Sequence, residues 1–319
     1  MMSKLSILEL FAGIGSQAKA LRNLGIDFES DICEFDDKAV ASYNAIHGET
    51  FNYGDITKTH IDKQYDLWTY SFPCQDLSNA GSRKGLEGTR SGLLYEVGRL
   101  LSECNDKDIL PDTLVMENVP TLLFKNNIQG FEDWCKYLEN LGYTNSYQVL
   151  NSSDFGIPQD RKRIFMVSTF SLDNTPFDFN NLKTVEMKPL ESIVDFDFTH
   201  DEPTGQQHLM NFNSVKDLPH DTFIYFHDTS KNFLNGRRSS YKTDRSITVT
   251  TGNRLSKFNK GSTSKLTPLE CWLLMGFTQD DFNKVSSIHS DTYLRKQAGN
   301  SIVVQVLEAI FSELYLKGD

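Results

Sequence analysis

Apolar residues in the chain occur in short runs that alternate with segments of helical spacing. Runs of about five residues bounded by glycine and polar residues are typical of buried strands. They lie at residues 6–11, 28–33, 65–71, 112–116, 146–150 and 163–169. Helical spacing occurs at residues 17–24, 93–101, 131–141, 267–275 and 302–314. The alternation predicts an α/β fold built on a doubly wound sheet.

The connection between the last two strand-like runs is short. Residues 151–162 contain Gly156 and Pro158, and they leave no room for the helix that a parallel crossover requires. The two runs are therefore predicted to pair antiparallel, which makes the sheet mixed. Ligands of such sheets collect outside the carboxyl ends of the parallel strands. The antiparallel turn is expected to return Arg161 and Arg163 to that edge.

The alternation stops near Ser171. Residues 171–260 are rich in Asn, Asp, Thr, Phe and Pro and contain only short extended segments. We predict a catalytic and cofactor-binding domain over residues 1–172, completed by the C-terminal helix within residues 291–319. A small, irregular, β-rich domain is predicted over residues 173–290.

The composition of the 319-residue chain is that of a soluble globular protein. No apolar run approaches the roughly 20 residues that a membrane helix needs, and the N-terminus lacks the pattern of a signal peptide. The five cysteines are scattered and include no Cys-x-x-Cys pair, which argues against a disulfide framework or a zinc site. We therefore expect no metal and a reducing, cytoplasmic environment.

Charge is strongly segregated along the chain. The formal net charge is −11, yet residues 231–265 contain nine Lys and Arg residues and one acid, Asp244. Because binding of a polyanion depends on the local field more than on the total charge, this stretch is the predicted docking face. A solvated basic surface is the alternative interpretation.

Cys74 lies where a strand-like run ends and a glycine-rich loop, residues 79–92, begins. A thiol in that position is held on one side and mobile on the other, which suits a nucleophile. A buried, inert cysteine fits the same pattern. This stretch alone does not decide between the two.

Gly13 and Gly15 follow the first strand-like run and precede a helix. In doubly wound folds, such turns and helix N-termini hold nucleotide-like ligands. Glu34 follows about 20 residues later, where these folds place the acid that binds ribose hydroxyls, and Phe35 could cover an adenine. Asp55 is expected at the same edge. A nucleoside-containing cofactor is therefore favoured over a turn that only closes a corner and over a capping role for Asp55.

Six segments carry motifs in a fixed order along the chain. They are Phe11-Ala12-Gly13-Ile14-Gly15, Phe72-Pro73-Cys74-Gln75, Glu117-Asn118-Val119, Gln159-Asp160-Arg161-Lys162-Arg163, residues 266–277 and Gly299-Asn300-Ser301. Together they resemble the DNA cytosine methyltransferases of bacteria and phages that methylate carbon 5, with a variable region at 171–245. Ser16 stands where a third glycine is common and Asp76 lies inside the nucleophile motif, but neither removes a group that the chemistry needs. The resemblance implies a Rossmann-like methyltransferase domain joined to a target-recognition domain.

The resemblance also implies catalytic roles for four residues. Cys74 would add as a thiolate to carbon 6 of cytosine, which makes carbon 5 nucleophilic enough to accept a methyl group. Glu117 would hold N3 and the exocyclic amine, Arg163 would hold O2, and Arg161 would add positive potential. The methyl donor would be S-adenosylmethionine, which becomes S-adenosylhomocysteine. The residues that would line it are Phe11, Gly13, Ile14, Gly15, Glu34, Phe35, Asp55, Ile56, Phe72, Leu93, Asn300 and Ser301.

Duplex DNA is the substrate that the resemblance implies, with the target cytosine flipped out of the stack. The loop over residues 78–92 is the predicted device for flipping, and base-edge readers are expected within residues 171–260. The predicted DNA-binding residues are Ser78, Arg83, Lys84, Arg237, Arg238, Lys242, Arg245, Arg254 and Lys257. We expect a monomer in the cytoplasm of a bacterial or phage-infected cell. It would be either an orphan enzyme or the partner of a cognate restriction endonuclease.

Three alternatives remain open from the sequence. One branch of this fold family methylates tRNA, but it has proline-proline-cysteine around its nucleophile, whereas this chain has Phe72-Pro73-Cys74. A catalytically inactive DNA-binding regulator is disfavoured by the intact Cys74, Glu117 and Arg163. A nicotinamide oxidoreductase would explain the glycine turn, but neither Cys74 nor the basic stretch.

Overall fold

The structure, a computed structural model, describes residues 4–72, 92–170, 175–198, 222–226, 241–252, 255–259 and 262–316. The chain forms two compact units. The first contains Met1–Leu150, Lys162–Lys183 and Val306–Asp319, and the second contains Asn151–Arg161 and Thr184–Gln305. This division differs from the predicted boundaries at residues 151–161, 173–183 and 291–305. The functions predicted for the two domains stay predictions.

Strands and helices are numbered here in chain order. The strands are β1 Leu5–Leu10, β2 Phe28–Cys33, β3 Leu67–Tyr70, β4 Thr113–Asn118, β5 Thr144–Asn151, β6 Gln159–Asp160, β7 Lys162–Thr169, β8 Thr222–Phe226, β9 Tyr241–Lys242, β10 Ser246–Ile247, β11 Leu255–Asn259 and β12 Ser262–Lys265. The α-helices are α1 Ser16–Asn23, α2 Asp37–His47, α3 Gly92–Asp106, α4 Ile128–Asn140, α5 Pro268–Leu273, α6 Gln279–Ser286, α7 Asp291–Asn300 and α8 Val304–Tyr315. No helix among the described residues is long and apolar enough to cross a membrane.

The sheet of the first unit has the strand order β2-β1-β3-β4-β7-β5. The pairs β1–β2, β1–β3 and β3–β4 are parallel, and β7 runs antiparallel to β4. β5 is the neighbour of β7 at the edge of the sheet, as the short connection between them predicts. The prediction of a mixed α/β sheet with an antiparallel last strand is confirmed: β7 is the last strand of this sheet along the chain, and it runs antiparallel to β4.

The two faces of this sheet bury different side chains because residues alternate along each strand. Leu8 and Leu10 of β1 pack with apolar residues of α3 and α4 in one hydrophobic cluster. On the other face, Ile32 of β2 packs with Ala18 of α1 and Tyr43 of α2. Helices therefore cover both faces, as in other doubly wound sheets.

The hydrophobic pattern does not predict helices α2, α6 and α7. In α2 the buried positions include small and polar side chains such as Ala39 and Ser42, so the apolar stripe is weak. The ends of the helix carry the clearer signal. The Asp36 side chain accepts from the Lys38 amide at 3.1 Å, and Gly48 follows the last residue.

The second unit contains a four-stranded antiparallel sheet, in the order β12-β11-β8-β9, and a short parallel pair formed by β6 and β10. Helices α5, α6 and α7 follow the sheet in the chain. Helix α5 begins after Thr267, whose side chain accepts from the Glu270 amide while Glu270 accepts from the Thr267 amide. This reciprocal capping fixes the start of the helix, as the threonine before Pro268 predicts.

Glu9 is a fully buried carboxyl within β1. The Tyr43 hydroxyl donates to Glu9 Oε1 at 2.5 Å, which leaves the tyrosine oxygen to accept from Ser30 Oγ at 2.9 Å. Burial raises the pKa of Glu9 to about 7, against the opposite and smaller effect of the Tyr43 hydrogen bond. In the folded protein Glu9 therefore gives up its proton only near neutral pH.

The substitution Glu9→Gln is expected to remove a pH dependence of stability. The folded protein binds the Glu9 proton more tightly than the unfolded chain, so this stabilising contribution is complete below the unfolded pKa and is lost as pH rises through about 7. Between about pH 5 and pH 8 the wild type should lose about 2 to 3 kcal/mol relative to Glu9→Gln. Urea unfolding followed by circular dichroism measures this difference.

The control for this experiment is Glu132→Gln, which removes an exposed carboxyl on α4. Its pH profile should follow that of the wild type. Parallel profiles for the wild type and Glu9→Gln would contradict the raised pKa of Glu9.

Candidate active site

The carboxyl ends of the parallel strands bring the predicted site residues to one edge of the first unit. β1, β2, β3 and β4 run in the same direction, so their last residues lie at the same edge. Residues 11–15 follow β1, Glu34 follows β2, Phe72 lies two residues after β3, and Glu117 is the next-to-last residue of β4. β7 begins at this edge, with Arg163 as its second residue, because it runs antiparallel to β4.

Glu117 and Arg163 form an ion pair at this edge. Glu117 lies opposite Phe165 in the register of β4 and β7, and Arg163 is two residues before Phe165, on the same face. The distance from Arg163 Nε to Glu117 Oε1 is 3.0 Å, and the two side chains are 16% and 10% exposed. The pair is therefore largely shielded from water, but part of each side chain is still open to a ligand. A carboxyl beside a guanidinium offers the hydrogen-bonding groups that the polar edge of a pyrimidine requires.

Asn118, the last residue of β4, fixes the chain just before Cys74. Its Nδ2 donates to the Phe72 carbonyl at 3.0 Å, and its Oδ1 accepts from the Val119 amide at 2.8 Å. Asn118 is buried, so water does not compete for these bonds. Phe72 is two residues before Cys74, which lies outside the described residues. Sequence reasoning quoted Asn118 in the motif Glu117-Asn118-Val119 but missed this anchoring role.

The four cysteines that the structure describes are poor nucleophiles. Cys33, Cys104 and Cys271 are buried, and Cys135 is partly buried. Burial raises the pKa of Cys33 and Cys135 to about 11 and the pKa of Cys104 and Cys271 to about 12. Because the thiolate is the reactive form, none of the four suits a nucleophilic role at neutral pH. Of the five cysteines, Cys74 therefore remains the candidate for the nucleophile.

Removing the Asn118 amide should slow the methyl transfer that the sequence motifs imply. Asn118→Ala frees the Phe72 carbonyl and lets the entry to Cys74 shift, and a shift of about 1 Å can lower turnover by about 100-fold. The matched control is Asn145→Ala, which removes another side-chain amide that donates to a main-chain carbonyl, that of Cys135, at 3.0 Å. Steady-state kinetics should show a lower kcat for Asn118→Ala alone. Equal kcat values in the two variants would rule out the anchoring role.

The turn after β1 has a backbone that glycine adopts most easily. Gly13 and Gly15 have φ values of 58° and 78°, and Phe11 has a φ of 59°. A Cβ on Gly15 would lie 2.5 Å from His47 Nε2, so close packing also requires glycine there. Among the described residues, apart from its two chain neighbours, no atom lies within 4 Å of a Cβ placed on Gly13. Open space at Gly13 would let a ligand approach the turn.

Glu34 is held against this turn from two sides. Its Oε2 accepts from the Gly13 amide at 3.0 Å, and its Oε1 accepts from the Asp36 amide at 2.9 Å. Asn52 binds the main chain: its Oδ1 accepts from the Glu34 amide at 3.1 Å and from the Gly54 amide at 2.9 Å, and its Nδ2 donates to the Glu34 carbonyl at 3.0 Å. Sequence reasoning missed Asn52. Its only signal is an asparagine two residues before a glycine, a pattern typical of turns.

The residues around Glu34 fit a nucleoside-containing cofactor. Phe35 is 77% exposed, which presents an aromatic face that could stack on a base. Asp55 accepts from the Thr57 amide at 3.0 Å, as a capping aspartate does, yet its side chain remains 44% exposed. Hydrogen bonds from Thr57 lower the pKa of Asp55. The described residues contain no group of three or more His, Cys, Asp or Glu side chains that could hold a metal ion.

Three of the predicted cofactor residues in the first unit have side chains and are buried. Ile14, Ile56 and Phe72 are at most 5% exposed, so little of their surface is open to a ligand. Leu93, in the first turn of α3, is partly buried against the core. Cofactor binding by these four residues stays a prediction.

Arg161, Asn300 and Ser301 belong to the second unit. Arg161 is buried and donates to the carbonyls of Val249 at 2.7 Å, Ser301 at 2.8 Å and Gly299 at 3.2 Å. These bonds give Arg161 a structural role, and its contribution to the catalytic potential stays a prediction. Asn300 is exposed at the end of α7, whereas Ser301 is buried.

Gly299 and Gln159 explain the residue types of two motifs in the second unit. A Cβ on Gly299 would lie 2.4 Å from main-chain atoms of residues 250–251, so only glycine allows the two backbones to come this close. Gln159 is fully buried. Its Nε2 donates to the Leu274 carbonyl at 2.7 Å, and its Oε1 accepts from the Val249 amide at 2.8 Å.

The structure corrects the prediction for Lys257. This residue of β11 is 3% exposed, and its Nζ donates to Glu270 Oε1 at 2.7 Å and to the Asp195 carbonyl. A buried ammonium paired with a buried carboxylate does not reach phosphate. The prediction that Lys257 binds DNA is therefore wrong, because the strand turns this side chain into the interior of the second unit.

Of the other predicted DNA-binding residues, the structure describes Lys242 and Arg245. Lys242 Nζ lies 3.7 Å from Asp160 and its side chain is 41% exposed, and Arg245 pairs with Asp244 at 2.7 Å. Contact of both residues with DNA stays a prediction. The remaining ones lie outside the described residues: Ser78, Arg83, Lys84, Arg237, Arg238 and Arg254.

Lys257→Met and Lys242→Met should change different properties: the first lowers stability, and the second lowers the salt dependence of DNA binding. Lys257→Met leaves the buried Glu270 carboxylate without its counter-charge and should lower the free energy of unfolding by about 3 to 5 kcal/mol. It should leave the salt dependence of DNA binding unchanged. Lys242→Met should change stability by less than about 1 kcal/mol and reduce the salt slope by about one. Chemical unfolding and DNA binding across a salt series test both variants, and a reduced slope for a fully stable Lys257→Met would reverse the correction.

Comparisons with known proteins identify a matching family and similar sequences and folds. The C-5 cytosine-specific DNA methylase family matches residues 5–316. The chain is 32% identical over 378 aligned residues to the type II methyltransferase M2.ScrFI of Lactococcus lactis subsp. cremoris, with 98% of this chain and 99% of that protein covered. It is 35% identical over 303 aligned residues to the orphan methyltransferase M.SssI of Spiroplasma monobiae, with 88% and 74% covered. A DNMT2 variant of Spodoptera frugiperda has a similar fold, with a TM-score of 0.71, 18% identity and 98% and 100% of the two chains covered.

Proposed function

Because the chain belongs to the C-5 cytosine-specific DNA methylase family, we propose that Cys74, Glu117 and Arg163 act together on one cytosine at the edge where β4 ends. The protein is an enzyme that transfers a methyl group to carbon 5 of cytosine in DNA. The ion pair of Glu117 and Arg163, at 3.0 Å, is the observation that carries the assignment of the site. It provides the acid and the cation that the base needs, beside the anchored entry to Cys74.

Cys74 supplies the nucleophile. Carbon 5 of cytosine does not attack a methyl group until a nucleophile has added to carbon 6. The Cys74 thiolate forms a bond to carbon 6, and the electron pair of the former double bond moves toward carbon 5 and the ring. After methyl transfer a base accepts the proton on carbon 5, and the electron pair of that C–H bond restores the double bond between carbons 5 and 6. The bond from carbon 6 to sulfur breaks at the same time, and its electron pair returns to Cys74 as the thiolate.

Glu117 and Arg163 hold the base during this reaction. The Glu117 carboxyl contacts N3 and the exocyclic amine, and neutralises the charge that addition of Cys74 creates at N3. The Arg163 guanidinium binds O2, where a cation also stabilises developing negative charge. Their mutual contact keeps both groups in place before the base arrives, so little reorganisation is needed when it enters.

Enzymes of this family use S-adenosylmethionine, which when bound supplies an electrophilic methyl group. We propose that it binds at the glycine turn after β1. Glu34 would hold the ribose hydroxyls and Phe35 would stack on the adenine, with Asp55 at the same edge. The left-handed glycine backbone of the turn, and the space that the described residues leave beside Gly13, support this placement.

Duplex DNA is the second substrate. The target carbon lies inside the base stack, so the cytosine must flip out, at a cost of a few kcal/mol. We propose that the loop over residues 78–92 assists this step and that base-edge readers lie within residues 171–260. Lys242, Arg245, Arg237 and Arg238 are the proposed phosphate contacts.

We further propose that the enzyme acts as a monomer in the cytoplasm of a bacterial or phage-infected cell. Its relatives include both a type II and an orphan methyltransferase. A cognate restriction endonuclease is therefore one proposed partner, and an orphan role is the other.

The central test replaces the nucleophile. Cys74→Ser should keep its affinity for S-adenosylhomocysteine and for duplex DNA but lose methyl transfer by about 10³-fold or more. Cys135→Ser is the matched control, because Cys135 is a partly buried thiol on α4 with a raised pKa. Transfer of radiolabelled methyl groups to duplex DNA and to tRNA measures the activity.

Substantial DNA methylation by Cys74→Ser would remove Cys74 from the mechanism. Labelling of tRNA alone by the wild type would overturn the DNA substrate. Bisulfite sequencing of DNA from cells that express the enzyme identifies the modified cytosine.

A further inference from the structure

We propose that His47 is a positioning residue of the cofactor turn. Through a hydrogen bond to the Ile14 carbonyl, its neutral imidazole holds the peptide group between Ile14 and Gly15 in the orientation that receives the cofactor. This inference rests on the proposed function of the glycine turn. His47 belongs to none of the sequence motifs and is the last residue of α2, a helix that the hydrophobic pattern does not predict.

Two contacts determine which ring nitrogen of His47 carries the proton. His47 Nε2 lies 3.0 Å from the Ile14 carbonyl oxygen, and His47 Nδ1 lies 3.2 Å from Arg22 Nη1. A carbonyl only accepts and a guanidinium only donates. Nε2 must therefore carry the hydrogen and Nδ1 must accept, which is the neutral tautomer protonated at Nε2.

The hydrogen bond completes the fixation of one peptide group. The Ile14 carbonyl and the Gly15 amide belong to the same planar unit. The Gly15 amide donates to the Ala12 carbonyl at 3.0 Å, so His47 holds the opposite side of the plane. Among the described residues, only the Ala12 carbonyl would hold the plane without His47, between two glycines whose backbones can adopt many orientations.

The imidazole ring also packs directly against the turn. A Cβ on Gly15 would lie 2.5 Å from His47 Nε2 and 2.6 Å from Tyr43 Cε2. The two rings are themselves in contact, with their centroids 4.7 Å apart. Tyr43 is fixed in turn by its hydrogen bond to Glu9. The turn therefore rests on a rigid layer rather than on solvent.

Arg22 ties this layer to the helix that follows the turn. Its Nη2 donates to the His47 carbonyl at 3.1 Å and its Nη1 to the Ile46 carbonyl at 3.4 Å. These are carbonyls at the C-terminal end of α2, which lack partners within the helix. The beginning and the end of the segment from the turn through α1 are thus both attached to the last residues of α2.

The expected consequence is a selective loss of cofactor affinity. His47→Ala should raise the Kd for S-adenosylhomocysteine about 5- to 10-fold, the effect of roughly one net hydrogen bond in a preorganised site. His47→Gln keeps an amide that can donate to the Ile14 carbonyl and should restore the Kd to within about 3-fold of the wild type. Affinity for duplex DNA should not change in either variant. Isothermal titration calorimetry on the full chain measures all of these constants.

His60→Ala is the matched control. His60 is an exposed histidine whose Nδ1 lies 2.9 Å from Glu103 Oε2, and its removal should leave both affinities at wild-type values. A His47→Ala variant that binds S-adenosylhomocysteine as tightly as the wild type would overturn the proposal. So would a His47→Gln variant as weak as His47→Ala, since the hydrogen bond would then not be the cause. Failure of the wild type itself to bind would instead count against the proposed function of the turn.

The tautomer can be measured without cofactor and in the wild-type chain. Long-range proton–nitrogen spectra of the protein labelled at histidine should show His47 as the neutral form protonated at Nε2 at neutral pH, with the signal assigned by its disappearance in His47→Gln. A form protonated at Nδ1, or a charged ring at neutral pH, would contradict the hydrogen bond to Ile14. This readout does not depend on how well the His47→Ala variant folds.

Discussion

The reversed direction of β7 is the constraint on which the catalytic part of the structure depends. β7 lies beside β4 and runs antiparallel to it, so it starts where β4 ends. A parallel β7 would begin at the opposite edge, near Thr113 and roughly 13 Å along the sheet from Glu117, because each residue of a strand advances the chain by about 3.3 Å. The ion pair between Glu117 and Arg163 exists only because the chain reverses there. The short connection before β7 therefore has a direct chemical consequence.

Several main-chain groups at this edge are fixed by side chains. The Phe72 carbonyl is bound by Asn118, the Glu34 and Gly54 backbone by Asn52, and the Ile14 carbonyl by His47. Loops beyond the ends of strands have no ladder partners, so their polar groups need other donors and acceptors. Each of these side chains holds one segment of the proposed site in place without itself belonging to the catalytic chemistry.

The second unit uses its buried polar groups in a different way. Lys257 neutralises Glu270, and Arg161 and Gln159 bind main-chain carbonyls that are distant in sequence. A lysine in a basic stretch is a candidate for binding phosphate only if its strand directs it to the surface. Lys242 and Lys257 lie in the same basic stretch, but one side chain is exposed and the other is buried.

The sequence by itself determined which segments along the chain form the strands of the first sheet, that this sheet is mixed, the motifs of the family, and the edge at which Glu117, Arg163 and the glycine turn lie. These features follow from local periodicity, short connections and glycine positions, and each of these signals depends on residues that are close together in the chain. Only the tertiary structure decided the roles of His47, Asn52, Asn118 and Lys257. Each depends on a partner brought near by folding, across 13 to 46 residues of chain, and no local pattern records which segments will meet.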